Sequence, residues 1–238
     1  MRTIVWFLNF WIYLIRIFPD MLRANELSET GQKLKLDALL DRVVHKWSLS
    51  MLRVAGVKVQ VSGLENIPSV PAVFISNHQG NFDIPILLAF LGKPKGFVAK
   101  IEIKKMPLIR TWMKYINCIF IDRRDVRQTL TALSNASEIL EAGHSIIIFP
   151  EGTRSKGEAL GEFKSGAFKM AFKTGAPLVP VSIDGSYKIM EQHGIWIRPG
   201  TVRLRILPPI ETEDMPKDKA RAIGEEIKEM ILKSRETI

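Results

Sequence analysis

The sequence predicts an α/β protein: a largely parallel central sheet of about seven strands flanked by helices, preceded by an N-terminal two-helix membrane-docking motif. Three observations carry this. After Gly56, short apolar runs alternate with longer segments of helical periodicity. Before it, residues 4–18 read IVWFLNFWIYLIRIF, interrupted only by Asn9 and Arg16. Polar and charged residues gather just past several of the apolar runs, where α/β proteins hold their ligands.

Taken in order, the first segment spans fifteen residues and would rise about 22 Å as a helix, short of the roughly 30 Å of bilayer hydrocarbon. A simple transmembrane helix is therefore disfavoured. The following Pro19-Asp20-Met21-Leu22-Arg23 lacks the small residues of a signal-peptide cleavage site. Trp6, Trp11 and Tyr13 suit a headgroup interface. A second segment places Leu36, Leu39, Leu40, Val43, Val44, Trp47 and Met51 on one helical face beside Lys33, Lys35, Arg42, Lys46 and Arg53. That face fits either packing on the domain or an anionic membrane surface. Beside the first segment, the pair reads as dipping into one leaflet. The expected division is residues 1–55 as a membrane-associating helical pair and 56–238 as the α/β domain.

In the α/β part, strands are predicted at 57–61, 72–76, 96–99, 118–121, 145–149, 178–183 and 202–207. Helices are predicted at 84–91, 107–114, 126–142, 164–174 and 216–234. Buried parallel strands read as continuous apolar runs, and these do.

The 238 residues carry a net charge of +9, which favours anionic partners. The excess is concentrated between Lys93 and Arg124, with nine basic and two acidic residues. The one cysteine, Cys118, excludes an intrachain disulfide, suits a reducing compartment and sits in an apolar run, where a core position is expected. Aromatic residues concentrate at the N-terminus instead of interleaving with the basic run, which argues against a base-stacking nucleic-acid platform.

Four blocks carry the chemistry. Asn77-His78-Gln79-Gly80-Asn81-Phe82-Asp83 joins a predicted strand to a predicted helix. His78 is a plausible base and Asp83 the carboxylate that fixes its tautomer, or else Asp83 merely caps the helix. Ile119-Phe120-Ile121-Asp122-Arg123-Arg124 puts charge past a strand, with Lys100, Lys104 and Lys105 ahead of it as a candidate basic funnel. Phe149-Pro150-Glu151-Gly152-Thr153-Arg154-Ser155 offers a glycine for close backbone approach, two hydroxyls and a guanidinium fork suited to phosphate, or an ordinary turn. Val179-Pro180-Val181-Ser182-Ile183 is either a core strand or the wall of a lipid-chain groove. His144 and His193 lack ligand-spaced partners, and no metal site is expected.

In this order the four blocks resemble the motifs of the glycerolipid acyltransferase family, most closely its bacterial branch that acylates lysophosphatidate. The N-terminal helical pair is similar too; Asn117-Cys118, where a glycine is common, departs from the pattern. The resemblance implies direct acyl transfer from an acyl carrier protein or coenzyme A thioester to the sn-2 hydroxyl of 1-acyl-glycerol-3-phosphate. No tightly bound cofactor is implied. His78 and Asp83 would be catalytic. Lys100, Arg123, Glu151, Gly152, Thr153 and Arg154 would hold the acceptor's phosphate and glycerol, with Glu151 organising the turn and not acting as a second base. Val179, Pro180 and Val181 are candidates for the acyl groove. The expected location is the cytoplasmic face of an inner membrane, in one leaflet, with an anionic membrane surface as partner and no nucleic acid. Glycerol-3-phosphate or another lysophospholipid is the alternative acceptor.

Overall fold

The computed structural model describes residues 1–122 and 124–236. Three helices lead the chain: α1 (Arg2–Arg16), α2 (Phe18–Glu29) and α3 (Lys33–Ala55). The predicted pair is α1 and α3, and a further helix, α2, lies between them. Strands β1 (Val57–Ser62), β2 (Val73–Ser76), β3 (Gly96–Lys100), β4 (Ile119–Ile121), β5 (Ile146–Ile148), β6 (Leu178–Asp184) and β7 (Gly200–Ile206) make one seven-stranded sheet in the order β1-β7-β6-β2-β5-β3-β4. Every neighbouring pair is parallel except β6–β7. The remaining helices are α4 (Asp83–Phe90), α5 (Pro107–Tyr115), α6 (Val126–Glu141), α7 (Lys169–Thr174) and α8 (Lys217–Glu236). The single helix expected over 164–174 is a 3₁₀ turn, Ser165–Phe168, leading into α7.

The strand patterns follow position in the sheet. Central β2 and β5 are buried at every residue because helices cover both faces, whereas edge strand β1 alternates half-buried and exposed residues. On one face, α3 and α4 close over Phe74, Ile147, Val179 and Val181. On the other, Ile223, Ile227 and Ile231 of α8 close with α6 and α7 over Val73, Ile75, Ile146 and Leu178. Val179 and Val181 are fully buried in this core and Pro180 is buried between them. The core-strand reading of this block therefore holds, and the acyl-groove assignment of the three residues is corrected.

The N-terminal helices form a third apolar cluster with Trp112 of α5. The periodic face of α3 is spent inside the protein: Leu39, Leu40, Val43, Val44 and Met51 are buried. It is thus a packing face, correcting the expectation of a membrane-facing one. Trp6 also turns inward, its indole N–H donating to the Met51 carbonyl at 3.0 Å and its ring meeting Phe82 at 5.5 Å. The outward face of α1 leaves Ile4, Leu8, Trp11, Ile12 and Ile15 about half or more exposed. No single described helix is long and apolar enough to cross a membrane. Helices α1 and α2 reach that length and composition only together, across a 42° bend.

Candidate active site

Strands β2, β5 and β6 are parallel neighbours, so the segments leaving their carboxyl ends converge. Asn77 locks the end of β2 to β6: its amide donates to the Ile183 carbonyl and its Oδ1 accepts from the Ile183 N–H, both at 2.8 Å. The next residue, His78, is 15% exposed at its side chain, and its Nδ1 lies 2.7 Å from Asp83 Oδ2. A carboxylate on Nδ1 leaves Nε2 as the proton-accepting nitrogen. The ring plane is fixed by stacking on Phe149, with centroids 3.9 Å apart and planes within 14°.

Asp83 opens α4 and is fully buried, with both carboxylate oxygens hydrogen-bonded. Oδ2 also accepts from the Gln79 and Gly80 N–H groups at 2.7 and 2.9 Å, and Oδ1 accepts from the hydroxyl of Ser186. These donors, and its place in the first turn of a helix, offset the cost of burying the carboxylate. The helix-cap reading of Asp83 is corrected: Phe82 holds the cap position without a side-chain cap bond, and the Asp83 carboxylate is bonded to the backbone ahead of the helix.

Glu151 ties two loops together. It is 6% exposed; Oε1 accepts from the His78 N–H and Oε2 from the Gly161 N–H, both at 2.8 Å. It organises backbone and does not reach the cavity. Gly152 turns the chain with φ at +70°, a left-handed conformation that favours glycine. Gly152 itself is not among the residues that line the adjacent cavity. The chain then returns over the first block: Ser155 N–H donates to the His78 carbonyl at 2.8 Å and Lys156 N–H to the Gln79 carbonyl at 3.2 Å.

These residues meet a cavity of about 640 Å³. Its charged and amide-bearing lining is confined to His78, Asn81, Lys100, Arg154 and Lys156, with the Thr153 hydroxyl. The rest is apolar, drawn from α1, α3, α4, β3 and α5, and includes Leu14, Val43, Trp47, Ala99 and Trp112. Lys104 and Lys105 do not line it; Lys104 sits over the Phe120 ring instead. Cys118 is half-buried on the cavity wall and is not a full core residue. Burial pushes its thiol up to about 12, which makes it a poor nucleophile. Arg123 lies outside the described residues. Among the described residues, no group of three His, Cys, Asp or Glu side chains could hold a metal ion.

Sequence reasoning missed Phe149 as a stacking partner, Lys156 as a cavity cation, Ser186 and Glu191. Phe149 stood inside a quoted block and Ser186 three residues past another. Glu191 carries no local signal, since it reaches the site only through the fold.

A His–carboxylate pair on the wall of a largely apolar cavity that also holds three cations is an arrangement that can take up a proton beside an amphiphilic ligand. Residues 58–184 match the Acyltransferase family, and the chain belongs to that family. It is 34% identical over 185 residues to the probable 1-acyl-sn-glycerol-3-phosphate acyltransferase of Mycoplasma pneumoniae, covering 76% of this chain and 69% of that one. It is 29% identical to the 1-acyl-sn-glycerol-3-phosphate acyltransferase of Borreliella burgdorferi, covering 100% of this chain and 96% of that one. Among solved structures it resembles the 1-acyl-sn-glycerophosphate (LPA) acyltransferase PlsC of Thermotoga maritima. That match has a TM-score of 0.78 at 29% identity and covers 100% of this chain and 99% of that one.

Proposed function

We propose that the protein moves a fatty acyl group from a thioester to the free sn-2 hydroxyl of 1-acyl-glycerol-3-phosphate, releasing phosphatidate and a free thiol. The observation that carries this reading is the 2.7 Å His78–Asp83 contact at a cavity whose charged lining includes Lys100, Arg154 and Lys156 and whose remaining lining is mainly apolar. His78 Nε2 takes the hydroxyl proton as the oxygen attacks the thioester carbonyl carbon. The tetrahedral adduct then collapses, the carbon–sulfur bond breaks, and the imidazolium returns the proton to the leaving thiolate. Asp83 holds the ring and stabilises the imidazolium that forms.

Arg154 and Lys100, with Lys156, would hold the acceptor phosphate, and the apolar lining would hold an acyl chain. The exposed stripe on α1 would rest in one leaflet of a membrane carrying anionic lipid, where a long-chain lysolipid resides. The cytoplasmic face of an inner membrane fits a thioester arriving from the aqueous side, carried on coenzyme A or acyl carrier protein.

The test is an assay of purified protein with 1-acyl-glycerol-3-phosphate, glycerol-3-phosphate and a neutral lysophospholipid, each against both thioesters. Phosphatidate formation should dominate. His78→Ala should lower its turnover by roughly 10²–10⁴-fold or more while the protein stays folded. Near-normal turnover in a folded His78→Ala variant would overturn the general-base role, and preference for another acceptor would overturn the substrate.

A further inference from the structure

Glu191 lies outside the four blocks, on a 3₁₀ turn that follows β6, with its side chain 5% exposed. Its Oε1 accepts from the Asn81 N–H at 2.8 Å and from Arg154 Nη1 at 3.2 Å, and the same Nη1 donates to Asn81 Oδ1 at 2.6 Å. Glu191 therefore joins the loop after β2 to the loop after β5 at the guanidinium that lines the cavity. Its Oε2 is buried and finds no hydrogen-bond donor among the described residues. That oxygen presses against the first block: a Cβ added to Gly80 would stand 2.3 Å from it. A side chain at position 80 would require the Glu191 carboxylate to shift.

Resting on the reading of Arg154 as the phosphate-binding group, we infer that Glu191 is a positioning residue for the acceptor, acting through Arg154. Arg154 is the one cation within salt-bridge distance of this buried carboxylate among the described residues. An arginine that swung away to follow a ligand would strand that charge, which is strongly unfavourable in a buried site. The guanidinium is therefore pinned. Both of its hydrogen bonds use Nη1. A guanidinium has five N–H donors, so the other edge of the fork remains to grip a phosphate. A fork already fixed loses less freedom when the ligand arrives.

The experiment measures acceptor KM, donor KM, kcat and thermal midpoint for wild type, Glu191→Gln, Arg154→Ala and the double variant, using 1-acyl-glycerol-3-phosphate as acceptor. Glu191→Gln keeps the shape and removes the charge. It should raise acceptor KM about tenfold, the scale of losing a charge-assisted contact, with donor KM unchanged. Arg154→Ala should raise acceptor KM further and lower the midpoint by stranding Glu191. Adding Glu191→Gln to Arg154→Ala should cause no further rise in KM and should restore the midpoint. That recovery keeps the inference testable even if the single Gln variant folds poorly. A raised KM in Arg154→Ala without one in Glu191→Gln, or additive losses in the double variant, overturns the positioning role alone. An unchanged KM in Arg154→Ala overturns the phosphate reading and this inference together.

Discussion

His78 stands between two unlike regions. Behind it, buried carboxylates are bound to backbone and side-chain donors: Asp83 by two N–H groups and a hydroxyl, Glu151 by two N–H groups. In front of it lies a cavity lined mainly by aliphatic and aromatic side chains, whose shape depends on packing between the N-terminal helices and the sheet domain. The first region is directional and fixes the orientation of the His78 ring. The second is non-directional and sets what volume can enter. Damage to the first should therefore appear in rate, and damage to the second in substrate choice.

The largest break in this contrast, after loss of His78 itself, is Asp83→Asn. Two backbone N–H groups demand an oxygen at the Oδ2 position, so the new amide oxygen belongs there and the NH₂ group faces Ser186. His78 Nδ1–H keeps its acceptor. What is lost is the negative charge beside the developing imidazolium. We expect turnover to fall about a hundredfold, with acceptor KM and thermal midpoint little changed. A change in KM alone would show that Asp83 serves binding.

Ser186→Ala is the next step down. The serine is fully buried, and its hydroxyl is the side-chain donor that supports the far oxygen of Asp83. Removing it leaves that oxygen unpaired in a buried place. A loss of about 1.5–3 kcal/mol is expected, shared between thermal stability and kcat, since the contact is to a charged group. Ser186→Thr, which keeps the hydroxyl, should recover part of the rate; no recovery would point to packing.

The apolar region should respond differently. Leu14 is 5% exposed on α1, lines the cavity and belongs to the cluster it forms with α3 and Trp112. Leu14→Trp should shorten the longest acyl chain used efficiently by filling volume in the apolar part of the cavity. We expect kcat/KM for long-chain thioesters to drop about tenfold while short-chain values stay within about twofold. A uniform drop across chain lengths would mean that the packing of α1, and not the cavity, had been changed.

The same contrast explains what was legible in the sequence. Strand periodicity, charge at strand ends and the spacing from His78 to Asp83 are local, so the seven strands and the pairing of His78 with Asp83 could be read directly. The wall of the cavity is built from α1, α3, α4, β3 and α5 together, a non-local surface that no single segment announces. An apolar strand such as 179–181 looks the same whether it faces a ligand or a helix, and here it faces the core. For α3, the periodic stripe was visible but what covered it was not. Glu191 is the extreme case: its importance comes from three loops meeting.

Lys95 supplies the smallest effect, and it extends the contrast to a buried cation. Asp83 begins α4, while Lys95, 6% exposed, donates from Nζ to the Leu91 carbonyl just past the other end and to the Lys93 carbonyl at 3.1 Å, over the ring of Phe74. The helix thus carries an anion at its N-terminus and a cation at its C-terminus, matching its dipole at both ends. Backbone carbonyls and a ring do not replace water fully. Burial first, and then Lys93, lowers the ammonium from 10.5 to about 8, against an opposing pull from Asp41. The folded state therefore releases this proton near pH 8, whereas the unfolded chain holds it to about 10.4. Between those values the unfolded state binds more protons, so the contribution of Lys95 to stability rises with pH. Thermal midpoints of wild type and Lys95→Met, measured from pH 7 to pH 10, should diverge in favour of wild type as pH increases. A constant difference across that range would mean that the carbonyls solvate the ammonium as well as water does.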